Sequence, residues 1–79
     1  SLLIVDRLGI YRGLGKYPLV LLRQSPKIHL EELVDSLTPK VIIADGSNFP
    51  SFVERWKKTC KAKGVRFHAT ATQGAYPLN

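Results

Sequence analysis

The sequence predicts an α/β fold, a small βαβαβ sheet with two helices and a C-terminal β-hairpin. The first observation is that short apolar runs alternate with amphipathic helical patterns, which favours a parallel sheet with right-handed crossovers. The second is the run Lys40–Ala44, whose consecutive β-branched residues are typical of a strand buried on both faces. The third is the polar cluster Asp45–Asn48, a turn that precedes the second helix.

Three segments are predicted before the first helix. Leu2–Val5 is a fully apolar run and predicts a buried strand, and Leu19–Leu22 predicts another. Between them, Ile10 and Tyr11 are candidates for a brief edge strand. The spacing of Gly9, Gly13 and Gly15 matches neither the dinucleotide fingerprint nor the P-loop, so these glycines indicate turns.

The first helix is predicted from an apolar stripe with helical spacing, formed by Leu30, Leu33, Val34 and Leu37. Glu31 and Glu32 in its first turn complement the helix dipole. Thr38-Pro39 ends the helix, because the residue before proline is disfavoured in the helical region.

The second helix is predicted to bury Phe52, Val53, Trp56 and Cys60. Ser51 and Glu54 have the spacing of a capping box, and the alternative is that Pro50 occupies the first helical position. Gly64 is suited to end the helix. Val65–Ala69 then predicts a strand, Thr70–Gly74 a turn, and Ala75–Leu78 the last strand of the hairpin.

The composition indicates one small domain over residues 1–79, with a thin core. The chain begins on apolar residues without a methionine, so we expect an excised fragment of a longer protein, the alternative being a processed mature chain. The single Cys60 excludes an internal disulfide framework and a multi-cysteine zinc site. No apolar run approaches the roughly 18 residues that span a bilayer.

Candidates for catalysis are few. Asp6 and Asp45 both end strands and are weak candidates for an acidic pair, although aspartate is also common in turns. Ser25 and Ser47 lie outside any G-x-S-x-G motif and have no histidine placed as a base, so we interpret them as caps. His29 and His68 share no ligand spacing, and we expect no metal site and no cofactor.

The second helix is strongly basic. It carries Arg55, Lys57, Lys58, Lys61 and Lys63 against one acid, Glu54, in a chain of net charge +6. Such a face binds phosphates or is simply a solvated surface, and both alternatives stay open. No row of exposed aromatic side chains is predicted for base stacking, since Trp56 fits the core stripe.

From Tyr17 onward the order of motifs is distinctive. They are, in chain order, Leu19–Leu22 followed by Arg23-Gln24-Ser25-Pro26, Leu37-Thr38-Pro39-Lys40, Val41-Ile42-Ile43, Asp45-Gly46-Ser47-Asn48, Pro50–Trp56, Gly64–His68 and Gln73-Gly74-Ala75-Tyr76. This pattern resembles the C-terminal, metallo-β-lactamase-like region of ComEC-type competence proteins, the membrane channels of DNA internalisation, in a Bacteroidetes-like variant. The resemblance implies the C-terminal half of a metallo-β-lactamase-like fold.

Departures from the family pattern bear on the chemistry. Where the family has His-His-Gly-Ser, this chain has Arg23-Gln24-Ser25-Pro26, and where catalytic members have Gly-His-Pro it has Asn48-Phe49-Pro50. A two-metal hydrolase cannot act without its ligands. The resemblance therefore implies the position of a nuclease-like metal site, while these residues argue against a working one.

Our hypothesis from the sequence is a catalytically degenerate domain of a competence protein, structural or in contact with DNA. Arg55, Lys57, Lys58 and Lys61 are the candidate phosphate-binding residues. The alternative is a metal- or phosphate-dependent hydrolase site at Asp6, Asp45 and Ser47 that a missing segment completes. The resemblance also implies a bacterial inner-membrane protein with this domain on the extracytoplasmic side. Further expected partners are the rest of the parent protein and, through exposed sheet edges, a second copy.

Overall fold

The computed structural model describes residues 2–7 and 17–74 of the chain. Within these residues lies a sheet of four parallel strands in the order β1-β2-β3-β4. The strands are β1 (Leu2–Val5), β2 (Leu19–Leu22), β3 (Val41–Ala44) and β4 (Arg66–Ala69). The predicted α/β class and the parallel sheet are confirmed. β3 and β4 each begin one residue later than predicted, and at β4 the cause is that the Val65 N–H caps the preceding helix by donating to the Cys60 carbonyl at 2.9 Å.

Three helices accompany the sheet: α1 (Leu30–Leu37), α2 (Pro50–Lys63) and α3 (Thr70–Gln73). α1 ends as predicted at Thr38, which takes the left-handed conformation with φ 43°. Gly64 ends α2 with φ 72°, a conformation that glycine adopts without steric cost.

The start of α2 differs from the capping box predicted for Ser51 and Glu54. Phe49 is the N-cap residue, and no side chain caps its helix end. Pro50 occupies the first helical turn, which confirms the alternative, because the N–H that proline lacks has no helical partner there.

The C-terminal part of the described chain corrects one prediction. The segment predicted as a turn, Thr70–Gly74, contains the short helix α3, because the Gly74 N–H bonds to the Thr70 carbonyl at 3.0 Å. Gln73 supports this turn by accepting the Ala69 N–H at 2.9 Å. The predicted hairpin strand Ala75–Leu78, the glycines between 9 and 15 and the candidate strand at Ile10 and Tyr11 lie outside the described residues.

One core joins α1 and α2 to the same face of the sheet. The buried members are Val5, Val20, Leu22, Leu30, Leu33, Val34, Leu37, Ile42, Ala44, Trp56 and Cys60. The strand members alternate along each strand, so they share a face. The predicted stripe of α1 is buried in full, whereas in α2 only Trp56 and Cys60 are buried and Phe52 and Val53 are half-buried against the core. Each large apolar side chain buried here contributes about 1.5–3 kcal/mol relative to exposure.

Strand β1 is less buried than its apolar sequence predicts. Val5 is completely buried, but Leu2 is 42% exposed and Ile4 is 50% exposed. The reason is position: β1 is an edge strand of the described sheet, and Leu2 and Ile4 point away from the face that the helices cover. The corresponding residues of the inner strand β3, Val41 and Ile43, are buried.

Cys60 is a free thiol on the buried side of α2. Burial raises its pKa from 9.0 to about 11, because desolvation disfavours the thiolate. The residue therefore behaves as a small apolar side chain, and its thiol is protected from alkylation in the folded chain.

This raised pKa makes stability depend on alkaline pH. Between about pH 9 and about pH 11 the unfolded chain ionises Cys60 while the folded chain does not, so the free energy of unfolding falls as the pH rises. We expect a contribution of up to about 1.4 kcal/mol per pH unit in this window. Urea denaturation at several pH values measures it, with Cys60→Ala as the reference that lacks the titrating group. Equal pH slopes for the two proteins would contradict the assignment.

Candidate functional site

The carboxyl ends of three neighbouring strands bring polar residues to one edge of the sheet. Asp6, Arg23 and Asp45 directly follow β1, β2 and β3 and occupy equivalent positions in the parallel register. The Arg23 N–H donates to the Val5 carbonyl at 2.9 Å, and the Asp45 N–H to the Leu22 carbonyl at 3.4 Å, so the ladder continues into the loops. This edge is where open α/β sheets place their ligands.

Two loops interlock at this edge, residues 23–26 after β2 and residues 45–49 after β3. The Gln24 N–H donates to Ser47 Oγ at 2.8 Å, and the Ser25 N–H donates to Asn48 Oδ1 at 2.8 Å. In the other direction the Phe49 N–H donates to Ser25 Oγ at 2.7 Å. We call residues 23–26 and 45–49 together the interlocked loops.

Asn48 lies at the centre of the interlocked loops. It is only 8% exposed. Its Nδ2 donates to the Leu22 carbonyl at 2.8 Å and to the Asp45 carbonyl at 3.0 Å, while its Oδ1 accepts the Ser25 N–H. A buried amide is tolerated when its N–H donors and its oxygen acceptor all form hydrogen bonds, as those of Asn48 do.

Both oxygens of the Asp45 carboxylate have partners within the interlocked loops. Its Oδ1 accepts the Ser47 N–H at 3.0 Å and also the Ser47 hydroxyl. Its Oδ2 lies 3.2 Å from Arg23 Nε. Asp45 therefore builds an Asx turn and an ion pair, which agrees with the turn interpretation made from the sequence. Ser47 donates to Asp45 and accepts from Gln24, so its hydroxyl is also used for structure.

Asp6 and Asp45 follow β1 and β3, which are separated by β2. Two strand spacings amount to about 10 Å between the backbones. Arg23 follows the strand between them, and it pairs with Asp45. The structure thus brings Asp45 and Ser47 together and places Asp6 two strands away.

Two consecutive residues of the interlocked loops have left-handed backbone conformations. Gln24 has φ 58° and Ser25 has φ 50°. Residues with a Cβ pay roughly 1–2 kcal/mol for this conformation. Because both backbone N–H groups are bonded to side chains of the neighbouring loop, the bonds across the loops offset this strain.

The two histidines lie in different parts of the chain. His29 is the N-cap residue of α1, and His68 lies on β4 with Nε2 2.7 Å from the Gly74 carbonyl, so this nitrogen is the donor. Across residues 2–7 and 17–74, no three His, Cys, Asp or Glu side chains are grouped to hold a metal ion.

Helix α2 carries a basic face. We use this name for Arg55, Lys57, Lys58 and Lys61, which are all exposed. Lys63, on the same helix, is paired with Asp35 of α1 at 3.0 Å and is therefore part of the contact between helices. The structure places all four candidate phosphate-binding residues on the solvent side of one rigid helix.

Aromatic side chains border the basic face, and the exposure of Phe49 was not predicted from the sequence. Phe49 is 65% exposed, and its ring centroid lies 5.8 Å from that of the half-buried Phe52. Arg55 lies over the Phe52 ring, with 5.1 Å from Cζ to the centroid. The available signal was that Phe49 precedes Pro50 and so falls outside the apolar stripe of α2.

A cavity of about 310 Å³ opens beside these rings, between the start of α1 and α2. It is lined by Pro26, Lys27, Ile28, His29, Phe52, Arg55 and Trp56. The lining combines aromatic rings with cationic side chains, which are the groups that bind a flat anionic ligand.

The fold and these surfaces define a class of protein: a small parallel α/β domain with interlocked strand-end loops and a basic helix. The family model of the ComEC C-terminal domain matches residues 1–79, and the chain belongs to that family. The resemblance to the C-terminal region of ComEC-type competence proteins is confirmed. Searches of the curated proteins and of the solved structures found no match. Within the part of the chain that the structure describes, no helix has the length and apolar character to cross a membrane.

The residues at the strand ends do not fit the metal centre that the resemblance implies. The loop after β2 offers Arg23-Gln24-Ser25-Pro26, which contains no imidazole, and the Arg23 guanidinium is paired with the Asp45 carboxylate at 3.2 Å. A divalent ion at Asp45 would have to displace this cation and would find hydroxyl and amide groups rather than imidazoles. We therefore derive no metal-dependent step.

Asn48→Ala tests the role of the interlocked loops. The change leaves the Ser25 N–H without its partner and leaves the buried Leu22 carbonyl with the longer bond from the Asp45 N–H, so we expect the free energy of unfolding to fall by roughly 1–3 kcal/mol. Denaturant titration measures the loss. Ser47→Ala is the control, because it removes exposed bonds of the same loops and should cost about 1 kcal/mol or less. Equal losses for the two variants would show that burial of Asn48 is not decisive.

Proposed function

We propose that this chain is a catalytically degenerate domain of a ComEC-type competence protein that contacts DNA during uptake through the basic face of α2. The observation that carries the proposal is the exposure of four cations on one helix whose other side is anchored in the core. Since Trp56 and Cys60 hold α2 in the core, the backbone positions from which these cations extend are fixed. Family membership supports the role in DNA uptake.

The positive charge of the basic face predicts that DNA binding depends on salt concentration. Lysine and arginine that neutralise phosphates release condensed counterions, so the binding constant falls with salt. Four contacts correspond to a slope of about −3.6 in a log–log plot of affinity against salt for duplex DNA. The net charge of +6 adds a general attraction, which a charge-matched control must separate from the local effect.

Loss of catalysis is proposed from the use made of the strand-end residues. Asp45 and Ser47 are the weak catalytic candidates from the sequence. Their side-chain oxygens form hydrogen bonds within the interlocked loops. In the resemblance described above, Arg23 corresponds to the first histidine of His-His-Gly-Ser, and Phe49 corresponds to the histidine of Gly-His-Pro. Arg23 pairs with Asp45 of the other loop, and Phe49 is the N-cap residue of α2. Neither role requires an imidazole.

We also propose the parent protein of this domain and its side of the membrane. Membership of the ComEC family supports a place within a bacterial inner-membrane protein, and we propose that the domain is a fragment of it on the extracytoplasmic side. The remainder of that protein is then its first partner. Within the described residues β1 lies at an edge of the sheet, and the backbone groups of an edge strand favour pairing with the remainder of that protein or with a second copy of the chain.

Reversal of three charges tests the DNA contact. In Lys57→Glu, Lys58→Glu, Lys61→Glu the basic face becomes mostly acidic, so we expect salt-sensitive DNA binding to disappear. Fluorescence anisotropy with a labelled duplex at two salt concentrations measures it. All three residues are exposed, so the fold should be retained.

The matched control reverses three exposed cations outside α2: Arg7→Glu, Lys40→Glu, Arg66→Glu. It has the same net charge as the α2 variant. Retained binding in this control, with loss in the α2 variant, supports the basic face. Unchanged binding in the α2 variant, or equal loss in both, contradicts it.

Metal addition tests degeneracy against the hydrolase alternative at Asp6, Asp45 and Ser47. Because the Arg23 side chain is paired with the Asp45 carboxylate, we expect addition of Mn²⁺ or Zn²⁺ to leave the melting temperature of the chain unchanged. An ion present at a hundred times its Kd would raise the melting temperature of a chain this small by roughly 10–20 °C. A rise of that size that disappears in Asp45→Asn would favour the hydrolase.

A further inference from the structure

An exposed phenylalanine stands at a fixed point of the surface, where α2 begins. Phe49 is 65% exposed, although its backbone is held on both sides. Its N–H donates to Ser25 Oγ at 2.7 Å, and its carbonyl accepts from the Phe52 and Val53 N–H groups at 3.0 and 3.1 Å. Pro50 further restricts the chain after it. An apolar ring on such a support loses little conformational freedom when it enters apolar surroundings.

The cavity of about 310 Å³ between the start of α1 and α2 borders this ring, and its charged lining is cationic. Lys27 and Arg55 supply an ammonium and a guanidinium, and none of the described residues that line the cavity is acidic. Its apolar lining includes Ile28 and the Phe52 ring, whose centroid lies 5.8 Å from that of Phe49. A site for an anion therefore lies directly beside apolar side chains.

The start of α2 adds positive potential at the same place. No side chain caps this end of the helix, and its first turn contains no acidic residue. The N–H groups of a first helical turn have no partner within the helix, and the helix dipole is positive there. An anion beside Phe49 is therefore attracted by the end of the helix as well as by the two cations.

We propose that this end of the molecule docks on the surface of a bilayer, with an anionic phospholipid headgroup in the cavity and the Phe49 ring among the acyl chains. We call Lys27, Phe49 and Arg55 the membrane-docking site. The two cations attract the phosphate, and the ring gains from leaving water. A phospholipid joins an anion to an apolar body in one molecule, which matches cations that border an exposed ring.

A weak contact suffices for such a site. Family membership supports a place within a membrane protein, and a domain attached to one is held beside the bilayer at a high effective concentration. The membrane-docking site is independent of the proposed DNA contact, since α2 begins at the site and runs away from it. Lys58 and Lys61 lie about 14 and 18 Å further along the helix and stay accessible to DNA.

Co-sedimentation of the chain with lipid vesicles tests the ring. We expect binding to vesicles that contain phosphatidylglycerol, and binding weaker by roughly tenfold or more to vesicles of phosphatidylcholine alone. Phe49→Ala should lower the affinity for the anionic vesicles roughly tenfold, because no ring enters the acyl region, and Phe49→Trp should restore it. Acyl chains that carry bromine should quench the fluorescence of Phe49→Trp more than that of the unsubstituted chain, whose Trp56 is 3% exposed.

Lys27→Glu tests the cationic part of the site. We expect the affinity for anionic vesicles to fall by roughly tenfold or more, because the reversal removes about twice the contribution of one cation. Lys40→Glu is the matched control with the same net charge, since Lys40 is exposed and precedes β3 at the opposite edge of the sheet. A strand of this length spans about 13 Å, more than the Debye length of about 8 Å at physiological ionic strength, so the control should change binding little.

Three results overturn the membrane-docking site: equal binding to the two kinds of vesicle, no loss in Phe49→Ala, or equal loss in Lys27→Glu and Lys40→Glu. Displacement of the chain from vesicles by inorganic phosphate at the concentration of the lipid phosphate also overturns it and assigns the cavity to a free anion. A loss of DNA affinity in Phe49→Ala without a loss of vesicle binding overturns it and assigns the ring to the DNA surface.

The proposed DNA contact fails separately. If the triple α2 reversal leaves DNA binding unchanged while Phe49→Ala and Lys27→Glu lose vesicle binding, the DNA contact is overturned and the membrane-docking site stands. If the triple reversal abolishes DNA binding while vesicles bind neither the chain nor its variants, the membrane-docking site is overturned and the DNA contact stands.

Discussion

The structure depends on the buried amide of Asn48. It joins the end of β2 to the turn after β3 through the Leu22 carbonyl, the Asp45 carbonyl and the Ser25 N–H. Without it the Ser25 N–H would lose its partner, at a cost of about 1–3 kcal/mol, and the two carbonyls would keep the longer bonds from the Asp45 and Asn48 N–H groups, each 3.4 Å. By holding the two loops together, this amide also sets where Phe49 stands and where α2 begins.

Helix α2 has two roles because it has two sides. Trp56 and Cys60 anchor it to the core, and Lys63 and Thr59 connect it to Asp35 and Glu31 of α1. The opposite side presents the basic face. Packing on one side fixes the spacing of the backbone positions from which the cations on the other side extend, which a loop would not do. Proposed binding and observed packing therefore depend on the same element.

The polar residues at the strand-end edge hold two loops together. Two parallel strands deliver Arg23 and Asp45 side by side, and they form an ion pair. Partly exposed pairs of this kind add little stability, about 0–1 kcal/mol. The hydrogen bonds of the interlocked loops hold the edge together, and Ser25 and Ser47 take part in them rather than in nucleophilic chemistry.

Local pattern alone determined the four described strands to within a residue, the apolar stripe of α1, the burial of Trp56 and Cys60 on α2, and the ends of the two helices at Thr38 and Gly64. Each of these depends on residues within a turn or two. It also determined which side of α2 carries the cations. Tertiary structure decided the exposure of Phe49, the position of β1 at an edge, and the pairing of Ser25 with Asn48, 23 residues apart. Hydrogen bonds at that separation leave no periodicity in the sequence, since they arise only when parallel strands bring the two loops to one edge.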